Sequence, residues 1–566
     1  MRKLLALCAL IISLAFAQDY APVTSEMLDV NASGQEWLTY RGGSTGWGYS
    51  SLNQINADNV SALRPVWTFA SGVTNGHEAP PIVHNGIIYA TAAYNKLFAL
   101  DAVSGDLIWS YERRLPRATL SVNCCDVVNR GVALYGDKVY MATLDSAMVA
   151  LDALSGQVVW ETTVGDYTLA EVLTAAPLVA DGKVIIGIHG GEFGVRGFIQ
   201  AMDAESGEIL WKTYTVQEAW YDTWEGDSEQ TSGAAAWLTG TYDAATRTVY
   251  WGAGNPAPWM GPKGDKIGSD TMLALDVDTG ELKSYFQRTP DDSWDFDGVN
   301  EALLIDLELD GVMRHTAMIA DRNGYLYMLD RADGLKFINA HMFSENNIFT
   351  GFEADGRPIV DPERKPDIGK QAFACPGFLG GRNWSSMSWS PDTELMYIPS
   401  NNWCMNIKGV QTEFVGGQPF VGAEFEMLPV PGFEHVGALV AINPRTGEKV
   451  WSVNTAEPIW GGTLATGGNL VFHGDLKRYL NAYNAQTGEK LWSFRTNSGV
   501  IGVPSTYEID GKQYVAVWAG YGGAIPLWGG PIVERVKDVP QGGVLWVFAL
   551  DDMIRAGSAA DVAQGQ

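Results

Sequence analysis

One short phrase recurs along this chain, and its recurrence constrains the fold more than any other feature. It reads FALDAVSGDLIW at 98–109, VALDALSGQVVW at 149–160 and QAMDAESGEILW at 200–211. Later copies are LVAINPRTGEKVW (439–451) and LNAYNAQTGEKLW (480–492), and weaker ones are LALDVDTGELKS (273–284), YMLDRADGLKF (327–337) and VFALDDMIRAG (547–557). Aligned on the acidic or Asn position they make eight: Asp101, Asp152, Asp203, Asp276, Asp330, Asn443, Asn484 and Asp551. Each full copy joins an alternating apolar strand to a tight Asp-x-x-x-Gly turn and a second strand carrying Trp. Short β runs such as GDKVYMATL and DGKVIIGIH lie upstream of the copies. Units of three or four strands repeated in this way predict an all-β fold, an eight-bladed β-propeller, with each Trp plugging against the neighbouring unit. Residues 18–566 then form a single domain, and the long Asp330–Asn443 gap places a large insertion at about 340–435.

The first residues, MRKLLALCALIISLAFAQDY, read as a secretory signal: Arg2 and Lys3, an apolar run, then Ala15-Phe16-Ala17 as a small-x-small cleavage site. The expectation is a signal peptide over 1–17 and export to the periplasm. The apolar run is short for a membrane span, and no second long one follows. A net charge of −28 argues against nucleic acid and anionic membranes as partners. Outside Cys8, four cysteines remain: Cys124, Cys125, Cys375 and Cys404. An even number in an oxidising compartment favours disulfides over metal thiolates. The adjacent pair, Cys124 and Cys125, is open to several readings: bonded to each other, bonded elsewhere, or a thiol pair. No Cys-x-x-Cys-His occurs, so this chain carries no covalent c-type haem.

Fold alone does not give activity, so the chemistry has to come from residues outside the repeat. TPDDSWDFDGVNE (289–301) places Asp295 and Asp297 two apart beside Gly298, where a loop could turn both carboxylates to one point. Such a pair repels unless a cation or proton lies between; the plainer alternative is a solvated acidic loop. HGGEFGVRG (189–197) sets Glu192 after Gly190 and Gly191 at the end of an apolar run, and WGAGNPAPW (251–259) offers Asn255 before Pro256. Either could equally be a surface turn. DRNGYLYMLDR (321–331) starts a strand with Arg322. Together Glu192, Asn255, Asp295 and Asp297 form an all-oxygen set suited to a hard cation.

With NCCDVVNRG, GGEFGVRG, GAGNP, WDFDGVNE, DRNGYLYMLDR, GGRNW and WGGTLAT in this order, the chain resembles the pyrroloquinoline quinone (PQQ)-dependent alcohol dehydrogenases. The resemblance implies that Cys124 and Cys125 close a vicinal disulfide against one face of PQQ, with Trp237 on the other. It implies that Glu78, Arg130, Thr174, Gly190 and Gly191 contact the cofactor's rim, that Arg322 reaches the quinone oxygens, and that Asn383 and Trp460 complete the pocket. Glu192, Asn255 and Asp295 match the metal ligands, Asp295 matches the catalytic base, and Cys375–Cys404 matches an ordinary disulfide.

In the family an Asp at position 297 goes with lanthanide-dependent members and a small neutral residue with calcium-dependent ones. A lanthanide(III) ion is therefore expected, with calcium as the alternative. The implied reaction oxidises a small primary or secondary alcohol and passes electrons to a periplasmic cytochrome c; a homodimer follows by analogy. His189, Ala235 and the segment AGYGGAIPLWGG depart from the family pattern. The competing reading is a non-enzymatic propeller scaffold of the outer-membrane assembly type, which needs neither the cysteine pair nor the acidic loop.

Overall fold

The computed structural model describes residues 20–29 and 34–551, so the signal peptide expected over 1–17 lies outside the described residues. The fold is an all-β propeller. Among the described residues, eight sheets of four or five strands follow one another along the chain. The first runs through Ile82–His84, Ile87–Ala92, Lys96–Asp101 and Leu107–Glu112, each strand antiparallel to the last. In this sheet the first two strands are buried throughout, whereas the final one, Leu107–Glu112, is largely open to solvent. Leu63–Ala70, from early in the chain, pairs with Val544–Leu550 and completes the last sheet.

The repeated phrase accounts for how the sheets join. In its first copy, the Asp101 carboxylate accepts from the backbone N–H groups of Val103 and Ser104 at 2.9 and 2.7 Å. Gly105 then takes the left-handed conformation at φ +80°. The missing side chain also makes room: a Cβ on Gly105 would lie 2.5 Å from the Trp67 ring of the neighbouring sheet. Trp67 Nε1 donates to Ala102 O at 3.3 Å, and the same docking recurs as Trp109 to Ala153 O at 2.9 Å and Trp160 to Ala204 O at 3.1 Å. Trp211, Trp451 and Trp492 dock alike on Val277, Ala485 and Leu63 carbonyls. At two further junctions Ser284 and His341 take the place of the Trp, against Gly334 and Gly447.

The stretch 340–435 is not one continuous excursion. Ser388–Ser390 and Leu395–Asn401, within it, are strands of a propeller sheet. On either side lie a hairpin, Phe349–Phe352 with Pro358–Val360, and a three-stranded sheet of Gln371–Ala374, Trp403–Gly409 and Ala423–Pro429. The Cys375–Cys404 disulfide ties the two excursions together. A second apolar core gathers Trp237, Trp259, Trp294, Trp384, Trp403 and Trp460 with these excursions, apart from the core of the first sheets.

Candidate active site

In an antiparallel four-stranded meander, the loop entering the first strand and the hairpin between the second and third lie at the same end. The candidate residues occupy those two positions. Loops entering first strands supply Glu78, Arg130, Thr174, Trp237, Asp295 with Asp297, Asn383 and Trp460, one group for each of seven successive sheets. Second-to-third hairpins supply Gly190 to Glu192, Asn255 and Arg322. Residues scattered over nearly four hundred positions thus meet at one end of the ring.

They surround a cavity of about 280 Å³ lined by Glu78, Cys124, Cys125, Arg130, Thr174, Glu192, Trp237, Asp295, Asp297, Arg322 and Asn383. Four expected residues stand behind that surface. Gly191 backs on Asn255, whose Oδ1 would be 3.2 Å from a Cβ at that glycine. Gly190, at φ +111°, starts the turn that presents Glu192. Trp460 is buried beside Trp384, edge to face at 6.5 Å. Cys124 and Cys125 are bonded to each other. Asp126, next in the chain, accepts from Asn75 Nδ2 and from the backbone N–H groups of Gly76 and Gly523, at 2.8, 3.2 and 3.1 Å. The disulfide loop is thereby fixed to the segment that departs from the family pattern.

The acidic loop is built to turn inward. Asp295 and Asp297 both have positive φ, 61° and 43°, with Phe296 between them packed in the core. The Asp292 carboxylate accepts from the backbone N–H groups of Trp294 and Phe296 at 2.8 and 2.9 Å, holding this shape. Arg322 Nη2 donates to Asp297 Oδ2 at 2.6 Å, and its Nη1 lies 3.7 Å from Asp295 Oδ2. Across the cavity Arg130 pairs with Glu78 at 3.0 Å. Asp295 and Asp297 thus share one guanidinium.

Burial raises all three carboxyls: Glu192 upward, Asp295 well above the usual range, and Asp297 to about 6. Arg322 opposes the rise in all three, and repulsion from neighbouring carboxylates adds to it at Asp295 and Asp297. Glu192 Oε2 and Asp295 Oδ1 are buried without a hydrogen-bond partner among the described residues. Excess negative charge, orphaned carboxylate oxygens and a nearby amide fit a hard cation. Cys124, His189 and Glu192 also place ligand atoms within 4.8 Å of one another, but the disulfide removes Cys124 as a thiolate. Arg130 Nε, Thr174 Oγ1, Arg322 Nε, Trp384 Nε1 and Trp460 Nε1 are orphaned donors around the same cavity. That rim, with Trp237 and the cysteine pair both on the cavity wall, fits a flat, acidic cofactor.

Much of the remaining wall carries no sequence signal. Trp259, Phe378, Phe425 and Trp528 form a run of rings, with Phe378–Phe425 at 4.6 Å, Trp259–Phe425 at 5.7 Å and Phe425–Trp528 at 6.0 Å. Trp259 closes a quoted motif, but the others belong to no repeat or polar cluster. Backbone bonds from Phe420 to Glu192 O (2.7 Å) and from Trp259 to Val421 O (2.9 Å) pin the second excursion over the site.

The model of the glucose/ethanol/alcohol dehydrogenase β-propeller domain family, named for PQQ, matches residues 37–341 and 452–515. A quinoprotein alcohol dehydrogenase of Pseudomonas putida, PedH, is 42% identical over 96% of both chains. The chain belongs to the PQQ-dependent alcohol dehydrogenase family. Within the family, a lanthanide-dependent methanol dehydrogenase of Methylacidiphilum fumariolicum is 36% identical over 97% of both chains. A solved structure of a europium-containing methanol dehydrogenase superposes with a TM-score of 0.89 at 35% identity, covering 92% of this chain and 98% of that one. As a family member the chain is a quinoprotein alcohol dehydrogenase. Among the described residues no helix is long and apolar enough to cross a membrane.

Proposed function

We propose that this family member oxidises apolar primary or secondary alcohols to aldehydes or ketones, using PQQ and a lanthanide(III) ion. The observation that carries the metal assignment is Asp297, buried beside Asp295 and facing the same cavity as Glu192. A trivalent ion is better neutralised by three carboxylates than by two. Glu192, Asn255, Asp295 and Asp297 would hold it, and it would act as a Lewis acid. Cys124, Cys125 and Trp237 would bracket PQQ, with Glu78, Arg130, Thr174, Gly190, Gly191, Arg322, Asn383 and Trp460 around its rim. Bound PQQ supplies the two-electron oxidising power.

The chain's own work is orientation and proton handling. Asp295, through the unpartnered Oδ1, takes the hydroxyl proton as general base. Arg322 keeps Asp295 and Asp297 in place by its two nitrogens. Trp259, Phe378 and Phe425 exclude water and receive the apolar part of the alcohol.

The eight sheets are taken as the blades of a single ring, exported to the periplasm behind a cleaved signal peptide over 1–17. A periplasmic cytochrome c receives the electrons, since the chain has no haem-attachment motif. Reconstitution of the apoprotein with PQQ and either a light lanthanide or calcium tests the reading by dye-linked alcohol oxidation. Activity with the lanthanide is expected; equal or better activity with calcium overturns the metal assignment.

A further inference from the structure

A second cavity, of about 220 Å³, adjoins the other side of the acidic loop. Lys263, Lys266, Lys365 and Lys370 line it against two carboxylates, Asp291 and Asp367. In a chain with 66 acidic and 38 basic residues, this is a local reversal of charge. Lys266 is only 1% exposed, with Nζ 3.2 Å from Asp291 Oδ1 and donating to Asp292 O at 3.3 Å. Lys365 Nζ donates to Asp291 Oδ2 at 2.6 Å, so two ammonium groups share one carboxylate. Lys263 pairs with Asp367 at 2.6 Å, and Lys370 Nζ donates to Pro362 O at 2.7 Å without an ion pair among the described residues.

Each ammonium has three N–H donors, and these bonds leave several of them uncommitted. Four positive charges face two negative ones around a space large enough for a small molecule. We propose that this cavity binds a compact dianion, an inorganic oxyanion or a short dicarboxylate. Such a ligand matches the charge surplus and draws on the donors that Asp291, Asp367 and Pro362 leave free. The site has a mechanical link to the catalytic loop. Lys365 lies 5.5 Å from the centre of the Trp294 ring, and Trp294 precedes Asp295.

Calorimetric titration of the PQQ-loaded protein with phosphate, sulfate and succinate, at constant ionic strength with chloride as control, tests the site. Saturable binding of at least one dianion is expected, with affinity at least tenfold lower in a Lys365→Gln/Lys370→Gln variant. Preference for phosphate and sulfate, or for succinate, identifies which class the cavity takes. No saturable binding by any of the three, or equal affinity in the double variant, overturns the proposal. Should the double variant melt early, the exposed Lys370→Gln alone carries the same test, with a loss of about threefold or more expected.

Discussion

The indole Nε1 of Trp237 donates to both carboxylate oxygens of Asp297, at 2.9 and 2.8 Å. One ring of the candidate cofactor pocket therefore fixes one candidate metal ligand, and the two sites form a single unit. Asp297→Ala breaks that unit and leaves Arg322 short of a partner. Lanthanide-supported activity and lanthanide affinity are expected to fall about ten- to a hundredfold or more, the scale of lost metal-site support. Metal titration of the PQQ-loaded variant measures it, and full retention of affinity counts against a metal role.

The same carboxyl makes a pH prediction for protein free of metal and cofactor. Asp297 titrates at about 6 in the fold, raised from an ordinary 3.8 mainly by burial, with Arg322 opposing and Glu192 reinforcing. The folded state holds this proton more tightly than the unfolded one, so its stabilising effect is complete below about pH 4. It is lost as pH rises through about 6. The melting temperature of Asp297→Asn relative to wild type should therefore rise between pH 4 and 7. A difference that stays flat or falls across that window refutes the assignment.

Trp109 docks by its ring against Gly156 and by its Nε1 on Ala153 O at 2.9 Å. Trp109→Ala opens a cavity between two sheets and orphans a carbonyl. A loss of about 3–5 kcal/mol is expected in urea unfolding. Gly156→Ala attacks the same junction from the other side, because the residue is left-handed at φ +69° and its Cβ would lie 2.5 Å from the indole. Combined, the two changes should cost less than their sum.

Cys124 and Cys125 line the cavity, whereas Cys404 is fully buried at its own bridge. Mild reduction is expected to open the vicinal bridge first. Thiol counting, activity and PQQ retention measured together separate its roles. Activity falling with PQQ still bound points to the bridge's part in turnover, and loss of PQQ points to binding.

Phe425 is central to the aromatic wall, in contact with Trp259, Phe378 and Trp528. Phe425→Ala should reduce kcat/KM for an aromatic primary alcohol about tenfold or more, with ethanol affected less. Equal losses for both alcohols would mean that the wall supports the fold rather than the choice of substrate.

The propeller was readable because its joints are local: an Asp or Asn, a left-handed Gly and a Trp at fixed spacing form most sheet-to-sheet junctions. Motif order pointed to a polar site, and Glu192, Asp295, Asp297, Arg322 and Trp237 line one cavity. What stayed hidden was long-range and apolar. Phe378 and Phe425 reach the cavity through excursions whose packing depends on distant backbone bonds, and Trp528 reaches it from the short helix Ala524–Trp528; no short spacing encodes that. The 340–435 stretch misled for a related reason. Ser388–Ser390 and Leu395–Asn401 belong to a propeller sheet, yet their partner strand, Gly437–Ile442, follows only after another excursion.

The pairing of Leu63–Ala70 with Val544–Leu550 gives the ring a clasp made from an early and a late strand of the chain. Until the last strand emerges, the early strand has no edge to join, and the final sheet stays incomplete. Synthesis from one end therefore cannot close the molecule by stages. A chain stopped short of Val544 would keep most of its repeats and still present an open seam, a ready template for another strand. Quality control that recognises loose β edges would see truncated copies as unfinished, however well their remaining sheets had formed.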